Sequence, residues 1–316
     1  MRRTVLLALV LVCCGVPATA AAAVPRLQRL VLIVGENTSF RQITPAHAPY
    51  LTGTVKPAAA WMTNYHSFTR SSSLGEYIAM LSGQFTKCEA NNDTPDVCHQ
   101  NVPNLFQQLD ATHRSWTDWQ ESMDNPCDWV DHGNDWSENV FSAHHNPAVY
   151  FTGIHGRRYD EAIRPKPECR GRDLPMGTTA PNDTSAFDAA MASGNLSDFT
   201  LVVPNDCDDG HDPCPGGNSD PVRQFDSFLA RELPKIQASP AWDPAHDVIA
   251  ITWDEGGDPP QQPGHPLLAL LGRPVKPGVY STRYDHYSLA RTLEDSFGVR
   301  HLAHARRAHS IDGIWR

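Results

Sequence analysis

Leu30-Val31-Leu32-Ile33-Val34 is an unbroken apolar run that stops abruptly at Gly35-Glu36-Asn37-Thr38-Ser39. Two later runs read the same way. Phe199-Thr200-Leu201-Val202-Val203 precedes Pro204-Asn205-Asp206, and Val248-Ile249-Ala250-Ile251-Thr252 precedes Trp253-Asp254-Glu255-Gly256-Gly257. Short β-branched runs without polar alternation predict strands covered on both faces, the signature of a parallel sheet. Helical spacing appears between and after them. Leu74, Tyr77, Ile78 and Leu81 recur at i, i+3, i+4 and i+7 behind Ser71-Ser72-Ser73; Phe225, Phe228, Leu229 and Leu233 do the same, and Tyr287, Leu289, Leu293 and Phe297 do so less regularly. The pattern predicts an α/β fold with a central, mostly parallel sheet flanked by helices. Ligands of open α/β sheets collect at the carboxyl ends of strands, so the three polar clusters that end the runs are expected to share one site.

The rest of the chain bounds this reading. With 316 residues, 40% hydrophobic and 20% charged, the composition is that of a folded globular protein, not of a disordered or collagen-like one. Its net charge of −10 repels phosphate backbones and anionic lipid, which argues against nucleic-acid coating and polybasic membrane attachment. Residues 1–23 combine a basic start, a short apolar run and the small-residue triplet Ala18-Thr19-Ala20, as in a secretory signal. A lipid anchor at Cys13 is the poorer reading because bulky Val12 precedes it. Export makes the mature protein extracellular and its cysteines oxidisable. Residues 24–316 are read as a single domain, with 116–195, which lack periodicity, as a loop-rich insertion over the site. The mature cysteines are Cys88, Cys98, Cys127, Cys169, Cys207 and Cys214, with no CxxC pair, so disulfides are favoured over zinc. Short loops favour Cys88 with Cys98 and Cys207 with Cys214, which leaves Cys127 with Cys169.

Glu36-Asn37 and Asp254-Glu255 offer hard oxygen ligands of the kind that bind Mg²⁺, Mn²⁺ or Ca²⁺ in preference to Zn²⁺. One such pair alone is more often a turn or a helix cap; two at two strand ends point to one divalent ion. Ser73 opens a helical pattern, where free N–H groups favour an ionised serine oxygen. Its plainer role is a helix cap. The segment from Asn205 to Asp212 resembles a calcium-binding turn without the EF-hand spacing, and its His211 is a candidate proton donor to a leaving group. His145 and His286 are weak signals when taken singly.

In order, these residues fall into larger motifs. They are Glu-Asn-x-Ser from Glu36, Ser-x-x-x-Tyr-x-Ala-x-x-Ser-Gly from Ser73, His-x-Pro-x-Val-x-Phe from His145, Pro-Asn-x-x-x-Asp-x-His-Asp from Pro204, Thr-Trp-Asp-Glu from Thr252 and His-Tyr-Ser-Leu-x-Arg-Thr-Leu-Glu-Asp from His286. The set resembles the bacterial phosphoesterase family, which includes secreted acid phosphatases and non-specific phospholipases C. The nearer likeness is to the short secreted acid phosphatases, some of them mycobacterial and active on phosphatidylinositol 3-phosphate.

The resemblance implies an alkaline-phosphatase-like fold. It places Glu36, Asn37, Asp254 and Glu255 on the metal, Ser73 as the nucleophile that becomes phosphorylated, His211 near the leaving group and His145 against the phosphate. The implied activity is that of a phosphomonoester hydrolase, with a phosphoinositide among the candidate substrates. A phospholipase C-type phosphodiesterase and a weakly catalytic phospho-ligand binder are the alternatives. The chain departs from the family pattern at Ser71, where a histidine is usual, and at Glu76, where asparagine is usual. A carboxylate at position 76 is expected to repel phosphate if that asparagine touches it.

Overall fold

The computed structural model describes residues 23–68, 72–85, 91–133, 140–160, 164–214, 219–257 and 264–316. The secretory-signal reading therefore falls, apart from Ala23, outside the described residues, as do Ser71 and Cys88. Strands β1 to β10 span Arg29–Gly35, Ala59–Met62, Tyr65–His66, Trp116–Gln120, Asp173–Pro175, Phe199–Val203, Asp247–Trp253, Leu268–Leu271, Gly278–Tyr280 and Tyr284–Asp285. The main helices are α1 (Ser73–Ser82), α2 (Leu105–Ala111), α3 (Ser185–Ala192), α4 (Pro221–Ala238) and α5 (His286–Phe297).

Eight strands form one sheet in the order β5-β4-β6-β1-β7-β8-β2-β9. The three apolar runs are its adjacent central strands, β6, β1 and β7, all parallel. Alternate side chains of β1 enter two different cores. Leu30, Leu32 and Val34 pack with Leu74, Tyr77, Ile78 and Leu81 of α1 and Leu289, Leu293 and Phe297 of α5. Val31 and Ile33 pack with Phe187 and Met191 of α3 and Phe225, Phe228, Leu229 and Leu233 of α4. This covering by helices on both faces is why the strands show no polar alternation. β8 runs antiparallel to both β7 and β2.

The stretch 116–195 opens on a strand rather than a loop: β4 pairs in parallel with β6 and β5. Its sequence, Trp116-Thr117-Asp118-Trp119-Gln120, holds three polar residues without regular alternation yet is wholly buried. Asp118 and its register partner Asp173 on β5 are both fully buried. Desolvation raises the Asp118 carboxyl to about 8 and lifts Asp173 well above the usual range.

Cys127 is bonded to Cys169 and Cys207 to Cys214, with Cα separations of 5.5 and 5.3 Å. Cys98 is also disulfide-bonded, and its partner lies outside the described residues. Thiol titration of the denatured, unreduced protein is expected to find these five cysteines unreactive. Reduction is expected to cost roughly 2–4 kcal/mol per bridge. Free thiols in more than trace amount would contradict the pairing.

Candidate active site

The parallel register builds the site. Gly35 and Trp253, the last residues of β1 and β7, stand side by side, so the next residues, Glu36 and Asp254, leave the sheet at one level. Backbone bonds stitch three strand exits together: Asp254 N–H donates to the Gly35 carbonyl at 3.0 Å, and Glu36 N–H to the Asp209 carbonyl at 2.9 Å. A Cβ at Gly35 would stand 2.5 Å from the Asp209 oxygen and 2.6 Å from Trp253 Nε1, so only glycine permits this approach.

Asp254 is buried, and its Oδ1 accepts the N–H groups of Asn37 at 3.0 Å and Glu255 at 2.5 Å. Its Oδ2 is buried with no hydrogen-bond partner among the described residues. Ligand atoms of Glu36, Asp254 and His145 lie within 4.8 Å of one another, and so do those of His145, Asp206 and Asp209. Among the sequence candidates, then, the tight group is two carboxylates and a histidine. Asn37, in the left-handed region at φ 41°, turns its Oδ1 to the Gly257 N–H at 2.7 Å. Glu255 joins through its charge. Desolvation and the nearby Asp254 and Glu36 carboxylates raise Glu255 to about 8, and desolvation with Glu36 raises Asp254 to about 7. Crowded carboxylates with an orphaned buried oxygen have the donor chemistry for a hard divalent cation.

Ser73 is the first residue of α1, and its hydroxyl donates to Glu36 Oε1 at 3.2 Å. The cap itself is Ser72, so Ser73 is not spent as one. α1 is buried along its whole length and ends at Gly83, with φ 64°. His211 Nδ1 lies 2.5 Å from Glu36 Oε2, and this bond is the main reason its pKa rises to about 9. The controlling carboxylate is therefore Glu36, not the sequence neighbours: Asp212 is 3.7 Å away, and Asp209 accepts the His211 backbone N–H instead. Asn37 Nδ2 approaches His211 Nε2 at 3.3 Å. With the amide oriented by Gly257, that contact suits the neutral ring while Glu36 favours the charged one.

His145 is nearly buried. Burial alone would lower its pKa, but Asp206, with Oδ1 3.5 Å from Nδ1, outweighs it and the value rises to about 9. Ser142 donates to the other Asp206 oxygen at 2.7 Å. Asp206 reads in sequence only as part of a polar loop, whereas Asp209 is the fixed aspartate of the Pro-Asn-x-x-x-Asp-x-His-Asp motif. Their clustering with His145 depends on the approach of a segment about sixty residues earlier in the chain, which neither the loop nor the motif specifies. Glu76 does not behave as a free repelling charge. Its Oε1 accepts the Phe68 N–H at 2.7 Å, and its Oε2 lies 3.4 Å from Nε2 of buried His286. That His286 nitrogen donates to the Asp254 carbonyl at 2.6 Å, and Tyr65 donates to Nδ1 at 2.5 Å.

The model of the Phosphoesterase family matches residues 44–300. The chain belongs to the Phosphoesterase family. Glu36 and Asn37 lie just ahead of the matched span. The phosphoesterase is 25% identical over 299 residues to the phosphatidylinositol-3-phosphatase of Mycobacterium tuberculosis, an alignment covering 94% of this chain and 85% of that one. It is 25% identical over 280 residues to a phosphate-repressible acid phosphatase of Penicillium chrysogenum, covering 87% of this chain and 60% of the fungal one. Among solved structures, an alkaline phosphatase superfamily protein from Vibrio parahaemolyticus superposes with a TM-score of 0.58 at 12% identity, over 88% of this chain and 68% of that one. Murine ectonucleotide pyrophosphatase/phosphodiesterase 5 gives 0.56 at 9% identity, over 88% and 96%. The fold is thus alkaline-phosphatase-like, as the motifs implied, and the protein is a phosphoric ester hydrolase.

Proposed function

We propose that this phosphoesterase is a secreted, metal-dependent phosphomonoester hydrolase that works through a phosphoserine on Ser73. The observation that carries the reading is the Ser73 hydroxyl at the start of α1, 3.2 Å from Glu36 Oε1, in a carboxylate group that includes Asp254. Glu36 and Asp254, with Asn37 and Glu255 beside them, would hold a hard divalent ion, which would supply Lewis-acid polarisation of phosphoryl oxygens and favour the ionised serine. The positive end of α1 favours the same charge. Ser73 Oγ attacks phosphorus in line as the ester oxygen leaves. His145, kept protonated by Asp206, orients the phosphoryl group and offsets its negative charge. His211, steadied through Nδ1 by Glu36, is the proton donor to the departing alcohol.

Phosphatidylinositol 3-phosphate is one candidate substrate, suggested by the name of the mycobacterial relative. The direct test is hydrolysis of p-nitrophenyl phosphate beside bis(p-nitrophenyl) phosphate, with and without a chelator. Turnover of the monoester that the chelator abolishes supports the reading; a preference for the diester makes the protein a phosphodiesterase, and turnover of neither overturns both.

His211→Ala is expected to slow hydrolysis of glycerol phosphate far more than that of p-nitrophenyl phosphate, whose leaving group departs without a proton. The difference should reach roughly 10²-fold. Equal losses on the two substrates would reassign His211 to phosphate binding or to support of Glu36.

A further inference from the structure

Although the chain as a whole is acidic, residues 300–309, RHLAHARRAH, hold three arginines, three histidines and no carboxylate. The fold lays this run, through the short turn Ala303–Arg306, against α5. It also brings in Arg283 from the segment between β9 and β10. Arg283, Tyr287, His304, Arg307 and His309 line a cavity of about 360 Å³, and a second cavity of about 680 Å³ borders Ala308 and His309 beside Arg26 and Arg291.

The neighbouring acids are already engaged. Asp285, in the wall of the first cavity, caps α5 by accepting the Ser288 N–H at 2.9 Å; of the two acids in the wall of the second, Asp295 is held by His301 at 2.6 Å and faces Arg291 at 3.8 Å, and Asp312 accepts the Tyr284 hydroxyl at 2.9 Å. The side chains of Arg283, Arg300 and Arg307 make no hydrogen bond or ion pair among the described residues. Aromatic rings border these cations. Tyr287 stacks on His304 with centroids 5.0 Å apart and meets Phe68 at 4.3 Å. Phe85, 37% exposed, covers Gly75 of α1. It lies two residues beyond Gly83, whose carbonyl accepts the His304 N–H at 3.0 Å. Through His286, which precedes Tyr287 and bonds the Asp254 carbonyl, this face is one side-chain layer from the candidate site.

We propose that this surface docks the protein on anionic phospholipid bilayers, its arginines pairing with headgroup phosphates while Phe85 and Tyr287 sit at the headgroup boundary. A compact cluster of cations edged by aromatic rings suits a headgroup layer. An extended nucleic acid instead requires a long basic track, which a chain of net charge −10 opposes. Whole-chain charge, which argued against membrane attachment, hides this local excess. The proposal goes beyond the hydrolase reading and does not depend on it.

The experiment is co-sedimentation of the whole purified protein with phosphatidylcholine vesicles, with and without one third phosphatidylglycerol, at low and high salt. The expected result is a partition at least about tenfold higher on the anionic vesicles, lost as salt rises. The double variant Arg283→Glu with Arg307→Glu should lose about tenfold of that partition while keeping its melting temperature and its rate on p-nitrophenyl phosphate. Equal partition on both vesicle types, no binding, binding that survives the double reversal, or binding to a single-stranded oligonucleotide in preference to vesicles would overturn the proposal.

Discussion

Ser73→Ala is expected to lower turnover of p-nitrophenyl phosphate by roughly three or more orders of magnitude, because it removes the hydroxyl that opens α1 3.2 Å from Glu36 Oε1. The fold should survive. Ser72, not Ser73, is the cap of the helix, and among the described residues the Ser73 side chain is bonded only to Glu36, so the loss of stability should be about 1 kcal/mol. Acid quench of the wild type during turnover should trap phosphate on the peptide that contains Ser73. Phosphate found on Ser72, or a variant nearly as active as the wild type, would remove Ser73 from the mechanism.

The second large effect is expected at Asp254. The wild type should carry a bound divalent metal by elemental analysis, and Asp254→Asn should lose most of it. Activity should fall with it, by about 10²-fold or more. The amide keeps the shape and an oxygen for the Asn37 and Glu255 N–H groups, so any loss reflects the missing charge and not a collapsed turn. A chelator should lower the melting temperature of the wild type, because an ion that binds only the folded state stabilises it, and should leave the variant unmoved. Wild-type protein without bound metal, together with activity indifferent to the chelator, would end the metal reading.

Much of this molecule can be read before it folds, for a definite reason. β6, β1 and β7 are buried on both faces, so solvent imposes no polar alternation and each appears as a plain apolar run. Strand β4 escaped notice because it buries Thr117, Asp118 and Gln120. A residue type reports its preference for water, and here neighbouring polar groups override it: Gln120 donates to Asp118 at 2.8 Å, and Asn146 to Asp173 at 2.9 Å.

The candidate site divides in the same way. Glu36, Asp254, Ser73 and His211 were legible because each stands beside a recognisable strand end or helix start. Their individual contacts were not. That His211 answers to Glu36 rather than to Asp212, that His145 is held charged by Asp206, and that Glu76 is bonded to Phe68 and turned toward His286 are long-range pairings. The amino-acid order by itself determined the parallel sheet and which strand ends hold the candidate site residues, since burial and chain direction act locally along each run. Only the tertiary structure decided which charges meet, because the energy between two ionisable groups depends on their separation in space and on the water excluded around them, and neither follows from separation along the chain.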